Sequence, residues 1–385
     1  MCGSDPGASN RVSTLLVTND FPPKIGGIQS YLWELWRRQP PAEVVVLTTP
    51  HPNADVFDAA QGFRVERAPA RVLLPGPGLR ARIDALAAEM GAAAVVLDPA
   101  LPLGLVGSHL HHPWAVVVHG AEVTVPRRLP VTSALLGRVL RGASHVIAAG
   151  DYPAIEAARA AGRPLSTTVV PPGVDTTVFR PLSGPERDAA RARFGLPADG
   201  RLVLSLSRLV PRKGMDTLVR AAALLGPDRA DLTVAIGGGG RDQARLERLV
   251  ATTGAPVRLL GRVAGDDLPR LYGCADVFAM LCRNRWRGLE QEGFGIVFLE
   301  AAATGVPSVA GDSGGVADAV VHGDTGLVVD RPEDPHEAAA ALASLLDDAG
   351  ARREMGERAR ARTASEFDYD ALAGRLRAAL AGLGQ

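Results

Sequence analysis

Cysteine is scarce: Cys2, Cys274 and Cys282 are the three in 385 residues, and no CxxC spacing occurs. An odd, unpaired set excludes a disulfide framework and a cysteine-based zinc site, and fits a reducing compartment. Lysine is scarcer still, with Lys24 and Lys213 set against 40 arginines among 42 basic residues. A lysine kept in that background marks a position worth following. Net charge is absent, 42 basic residues cancelling 42 acidic ones. No global field recruits nucleic acid, so an anionic ligand must be held by a local cluster. Long apolar runs are missing as well: none approaches the ~20 residues of a spanning helix. The opening MCGSDPGASN lacks the cationic start and apolar stretch of a signal peptide, so the chain is expected to be neither exported nor integral to a membrane.

What remains is ordinary globular composition, 46% hydrophobic and 22% charged. At 385 residues the chain exceeds a typical ~150-residue domain more than twofold, which predicts two cores. Short Val/Leu/Ile runs at 12–17, 44–47, 93–97, 115–118, 145–148 and 168–170 alternate with Ala/Leu/Arg stretches of helical spacing. Buried parallel strands with crossover helices produce this alternation. After a Pro/Gly-rich passage at 171–197 it restarts with runs at 202–206, 232–236, 257–260, 276–279, 308–310 and 327–329, and helices are predicted at 334–347, 351–365 and 369–380. Two doubly wound sheets bind ligands at the carboxyl ends of their strands, so the strand-to-helix loops are where chemistry is sought.

The first such loop carries Gly26 and Gly27, which either let backbone amides approach a phosphate or only permit a turn. It is not GxGxxG, which speaks against a nicotinamide oxidoreductase. The loop Ser207–Gly214 carries Arg208 and Lys213, either a clamp on a diphosphate or a solvated basic loop. Glu292 and Glu300 bracket a Gly-rich helix start; on one helix they would span up to ~12 Å, about the reach from ribose to sugar across a diphosphate, with the amides of Phe294, Gly295 and Ile296 facing the phosphates. Glu300 lies in an otherwise apolar run and needs a partner. His119 ends a strand run, where a sheet presents side chains to a ligand. A non-catalytic nucleotide module would need no Glu pair beside a cationic clamp.

Other patterns are weighed and set aside. Gly311–Gly315 spells the GDSGG of trypsin-like proteases without the all-β fold or upstream histidine segment they need. The glycines 237–240 fit a tight turn better than a nucleotide loop. His109, His111 and His112 lack acidic partners for a metal, and Asp368-Tyr369-Asp370 spells a DxD with no strand beside it.

In this order the Gly-Gly loop, His119, Arg208 with Lys213 and the Glu-x7-Glu pair resemble the retaining GT-B glycosyltransferases of family four across nearly the whole chain. Segments 17–31, 119–124, 207–214 and 309–315 are more closely similar to phosphatidylinositol mannosyltransferases of the PimB type. The resemblance implies an α/β GT-B fold of two Rossmann-like doubly wound domains facing a central cleft. Residues 1–180 would bind acceptor, 181–366 would bind nucleotide sugar, and a helix at 367–385 would pack back onto the first. It implies transfer of mannose from GDP-mannose to phosphatidylinositol monomannoside through an α-1,6 bond, with no metal or other cofactor; another nucleotide sugar or a soluble acceptor stays open. By the same resemblance His119, Arg208, Lys213 and Glu292 are catalytic. Gly26, Gly27, Arg262, Val263, Phe294, Gly295, Ile296 and Glu300 complete the donor site, and Asp20 and Gln29 face the acceptor. Segment 284–291 departs from the family pattern. A phosphoinositide glycolipid acceptor implies peripheral contact with an anionic membrane, on the cytoplasmic face of the plasma membrane. Tyr31, Leu32, Trp33, Leu35 and Trp36 with Arg37, Arg38 and the Arg80/Arg82 and Arg127/Arg128 pairs are the expected interfacial face, unless the tryptophans pack inside.

Overall fold

The computed structural model describes residues 13–127, 129–286 and 290–383; Cys2, Arg128 and part of segment 284–291 lie outside the described residues. Two compact units emerge. One comprises the chain to Pro172 plus the segment from Tyr369 onward, and the other Gly173–Asp368. The division falls at Pro172, before the 180/181 boundary expected above, and the Pro/Gly-rich passage contains a helix, Gly184–Arg193, opened by a Ser183/Glu186 capping box.

Unit 1 holds a parallel sheet in the order β3-β2-β1-β4-β5-β6-β7, made of β1 (Thr14–Thr18), β2 (Val44–Thr48), β3 (Arg64–Arg67), β4 (Ala94–Asp98), β5 (Trp114–Val118), β6 (His145–Ala148) and β7 (Thr167–Val169). Strand β3 reads RVER and escapes a search for apolar runs, because an edge strand needs no apolar face on both sides. The central strands feed both faces alternately: Leu15, Val17, Val45 and Leu97 pack on one side, Leu16, Val46, Val96 and Val117 on the other. Helix Gly27–Trp36 covers the second face together with the C-terminal helix Tyr369–Ala381, through Leu372, Leu376 and Leu380. This packing corrects the interfacial face expected from the sequence. Tyr31, Leu32, Leu35 and Trp36 are buried in that core, and Trp33 donates to Gln61 Oε1 at 2.8 Å. Their arginines are paired: Arg38 with Glu34 and Asp370, Arg80 with Asp84, Arg82 with Glu66, Arg127 with Glu156. Burying a large apolar side chain contributes about 1.5–3 kcal/mol, so the sheet claims this stripe before a membrane can.

Unit 2 repeats the plan with β8 (Arg201–Leu206), β9 (Leu232–Gly237), β10 (Val257–Gly261), β11 (Val277–Met280), β12 (Ser308–Gly311) and β13 (Gly326–Val329), ordered β10-β9-β8-β11-β12-β13. In both sheets the order reverses beside the first strand, between β1 and β4 and between β8 and β11. Loops on either side of such a switch point diverge and leave a crevice at the carboxyl ends. No described helix is long and apolar enough to cross a membrane.

Candidate active site

In unit 2 the two loops at the switch point meet. After β8 the chain turns through a short 3-10 helix, Pro211–Lys213, and leaves it at Gly214 with φ +69°; a Cβ there would lie 1.9 Å from the Leu281 carbonyl. Glycine is therefore required where this loop crosses the end of β11. The turn delivers Lys213, 7% exposed, whose Nζ donates to Glu292 Oε2 at 2.6 Å. Arg212 donates to the same oxygen at 2.7 Å, and the Cys282 thiol at 3.2 Å. Burial alone would raise the Glu292 pKa, but the Lys213 and Arg212 charges overcome it and hold the carboxyl at about 2. Burial beside that carboxylate pushes the Cys282 thiol far up, so it stays a neutral donor. Arg212 and Cys282 escaped the sequence reading, although Arg212 adjoins the retained lysine.

The Glu292 backbone rests on Gly311–Gly315. Ser313 Oγ accepts the Glu292 amide at 3.1 Å and donates to Asn284 Oδ1 at 2.9 Å, while a Cβ on Gly314, φ +55°, would lie 2.1 Å from the Glu292 carbonyl. The GDSGG string thus has a structural task here: its serine is fully buried and its glycines admit a second backbone. The helix expected to carry both glutamates begins only at Ile296, entered through Gly295 at φ 90°. Glu292 precedes it, so the axial spacing along one helix does not apply. The amides of Phe294, Gly295 and Ile296 donate no hydrogen bond within the described protein, leaving a helix N-terminus with unfilled donors beside the Lys213–Glu292 pair. Phe294 itself is buried against Phe367. Glu300 sits in the second turn and has its partner: Tyr272 donates to Oε2 at 2.6 Å. Burial raises the Glu300 pKa, and the Tyr272 bond offsets part of the rise.

Arg208 is not drawn into the cluster. It is exposed, as is Arg262, and neither guanidinium has a partner among the described residues. The glycine run joins their loops: a Cβ on Gly238 would meet the Ser207 carbonyl at 1.8 Å, and one on Gly239 would meet Arg262 Nε at 3.1 Å. Val263 packs at the edge of the core. Segment 284–291 closes by an Arg285–Glu290 pair at 2.8 Å and exposes Trp286.

Unit 1 builds its own constellation at the β1/β4 switch. Asp98, fully buried at the end of β4, accepts Thr18 Oγ1 at 2.7 Å and faces His119 Nε2 at 2.6 Å. Burial would lower the His119 pKa, but Asp98 reverses this and raises it. His119 Nδ1 makes no hydrogen bond among the described residues. Asp98 escaped the sequence reading, its signal being a lone acid closing an apolar strand. Gln29 donates to Asp20 Oδ1 at 2.7 Å and folds over Gly26, where a Cβ would lie 2.1 Å from Gln29 Oε1; Gly27 opens the helix. Lys24, the other retained lysine, donates to the Asn19 carbonyl at 2.6 Å and braces this loop. The set-aside DxD is taken up in packing, with Asp368 accepting Thr176 Oγ1 and Asp370 pairing with Arg38. No group of three or more His, Cys, Asp or Glu side chains among the described residues is placed to hold a metal.

Residues 186–362 match the family model of glycosyl transferases group 1. The GDP-mannose-dependent alpha-(1-6)-phosphatidylinositol monomannoside mannosyltransferase of Mycobacterium tuberculosis is 41% identical over 94% of this chain and 96% of its own. Its monoacylated-acceptor counterpart from Corynebacterium glutamicum is 35% identical over the same shares. Among solved structures, Anabaena Alr3699/HepE in complex with UDP superposes at a TM-score of 0.81 over 96% of this chain and 100% of that one; at 22% identity this speaks to the fold alone, GT-B. The chain therefore belongs to the group 1 glycosyl transferases of GT-B fold, in the family of phosphatidylinositol monomannoside mannosyltransferases.

Proposed function

We propose that this protein transfers mannose from GDP-mannose to phosphatidylinositol monomannoside, forming an α-1,6 bond with retention of configuration. The observation that carries the reading is the full-length likeness to enzymes of that name, together with a buried Lys213–Glu292 pair beside a helix N-terminus with unfilled donors. Unit 2 is assigned the donor. Arg208, Lys213 and the amides of Phe294, Gly295 and Ile296 hold the diphosphate, Glu292 contacts the mannose, Glu300 accepts the ribose diol, and Arg262 and Val263 flank the base. Unit 1 is assigned the acceptor, with Gly26 and Gly27 close to the donor sugar, Asp20 and Gln29 on the acceptor, and His119 on the reacting sugar.

With no protein nucleophile required, the departing diphosphate takes the proton of the incoming hydroxyl on the face from which it leaves, while positive charge grows on the sugar ring. Cations and amide dipoles fixed in advance stabilise the charge that builds on the diphosphate oxygens, which lowers the barrier more than it tightens ground-state binding. Two side-chain cations with a helix terminus balance a diphosphate, so turnover is expected to persist in EDTA; loss restored by a divalent ion would overturn this part. Product mass spectrometry decides the whole, offering GDP-mannose with phosphatidylinositol, its monomannoside, or neither. A hexose added only to the monomannoside supports the reading, and transfer to another acceptor or from UDP-glucose alone overturns it.

Contact with the inner face of the plasma membrane belongs to the same proposal. In place of buried Trp36 and half-buried Trp33 it draws on Leu129 and Val131, 58% and 73% exposed, and on exposed Val72 and Leu74, with Arg71 and Arg138 unpaired among the described residues. Flotation with anionic vesicles should be lost in Arg71→Glu/Arg138→Glu and retained in Arg37→Glu.

A further inference from the structure

A cleft of about 730 Å³ lies wholly within unit 1 and uses none of the residues assigned to the donor or to the acceptor head group. It runs between the first two turns of the helix Pro77–Met90 and the 3-10 helix Leu103–His109. Pro75, Pro77, Ala81, Leu105 and Val106 supply its apolar lining, and its size falls in the range of about 300–1,000 Å³ usual for ligand sites. Three of its four polar members engage one another, Asp84 accepting the His111 amide at 3.2 Å and lying 3.5 Å from Arg80 Nε, while the His109 side chain has no partner among the described residues. That leaves one imidazole to orient a polar ligand, whereas the apolar lining suits a chain of methylenes. A smaller cavity of about 240 Å³ shares Leu105 and His109 and extends the groove to Arg138.

Its connection along the chain points to the occupant. The segment leading into the cleft is tied to the loop after β1 by Asn19, which accepts the Leu73 amide at 2.7 Å and donates to the Leu73 carbonyl at 3.1 Å. The same loop carries Asp20, the residue assigned to the acceptor. Next to Leu73 stand exposed Val72 and Leu74, and before them Arg71, unpaired among the described residues. Arg71 thus lies four residues before Pro75, where the cleft lining begins, and the acceptor loop is held to the segment between them. Acyl chain, phosphodiester and sugar head group are likewise joined in a glycophospholipid.

We propose that the cleft seats one acyl chain of the lipid acceptor, with Arg71 at the phosphodiester. The proposal rests on the acceptor reading above, and its test separates the two. Monomannoside acceptors of increasing short acyl length, kept below their micelle concentration, are compared with the deacylated head group. Each methylene taken from water strengthens binding about fourfold, so KM should fall by about that factor per carbon until the cleft is full, with kcat little changed. Ala81→Trp, which fills the cleft from an exposed helix position, should flatten the series and leave turnover of the deacylated head group unchanged. An acceptor with a photoreactive acyl chain should label peptides between residues 75 and 111, a measurement that needs no variant.

A flat series in an active wild-type enzyme, or labelling elsewhere, overturns the acyl seat and leaves the transferase standing. Transfer to no inositol lipid and no head group overturns the function itself, and the seat with it.

Discussion

Lys213 and Glu292, 79 residues apart in sequence, meet at 2.6 Å in a buried contact at the carboxyl ends of neighbouring strands. Glu292 has a second cation in Arg212, so the cluster carries one negative and two positive charges before any ligand arrives. A lone buried carboxylate would be driven to protonate. This one is kept ionised, and under the proposed function the surplus positive charge would meet the diphosphate.

Removing Lys213 tests that surplus. Lys213→Met leaves Glu292 with Arg212 as its one remaining cation among the described residues and should cost about 1–3 kcal/mol, less than the usual loss from breaking a buried pair. Turnover should fall by more than donor affinity, and Lys213→Met/Glu292→Gln should recover part of the stability. Urea unfolding with steady-state kinetics reads both; equal losses in KM and donor binding with unchanged kcat would contradict the assignment. The folded carboxyl sits at about 2 against an ordinary value of 4.5, so its contribution is complete above pH 4.5 and is lost as pH falls toward 2.

The Asp98–His119 contact predicts a shift of opposite sign. Raised above 6.5 in the fold, His119 adds stability that is complete below pH 6.5 and fades as pH rises through the folded value. Asp98→Asn should lower the His119 pKa, seen in the ring-proton NMR titration. An unmoved titration would show that Asp98 does not govern the imidazole.

Tyr272 and Glu300 give a third test. The Tyr272 hydroxyl restrains the rise of the Glu300 pKa, so Tyr272→Phe should raise it further. If the ribose diol needs the carboxylate, GDP binding weakens as pH falls, and in the variant the weakening begins at higher pH. Calorimetric titration with GDP from pH 8 to 4.5 checks this; superimposable curves would remove Glu300 from the ribose site.

Two glycines near Glu292 form a matched pair. Gly314→Ala places a Cβ against the Glu292 carbonyl at a left-handed φ and should destabilise by about 1–3 kcal/mol while lowering activity. Gly293→Ala meets nothing within 4 Å and should change neither. Thermal unfolding and initial rates of the two variants suffice.

Much of this molecule was legible in its sequence. Twelve of the strands follow apolar runs, and β3 is absent from that set because one edge of a sheet tolerates RVER. Lys213 stood out in an arginine-rich background, and Glu300 stood out as an acid among apolar neighbours that had to have a partner. The apolar stripe of helix Gly27–Trp36 left membrane and core both open. The same apolar stripe fits a membrane or a core, and only the C-terminal helix packed on the same face of the sheet decides between them.

The sequence by itself determined the alternation of strand and helix, hence two parallel sheets, because periodic burial is a local property written residue by residue. The tertiary structure decided which distant residues share a proton or a charge: Asp98 with His119, Arg212 and Cys282 with Glu292, Ser313 beneath the Glu292 backbone. Those pairings depend on strand order. Order is set by how loops cross the carboxyl edge of a folded sheet, and no periodicity along the chain records it.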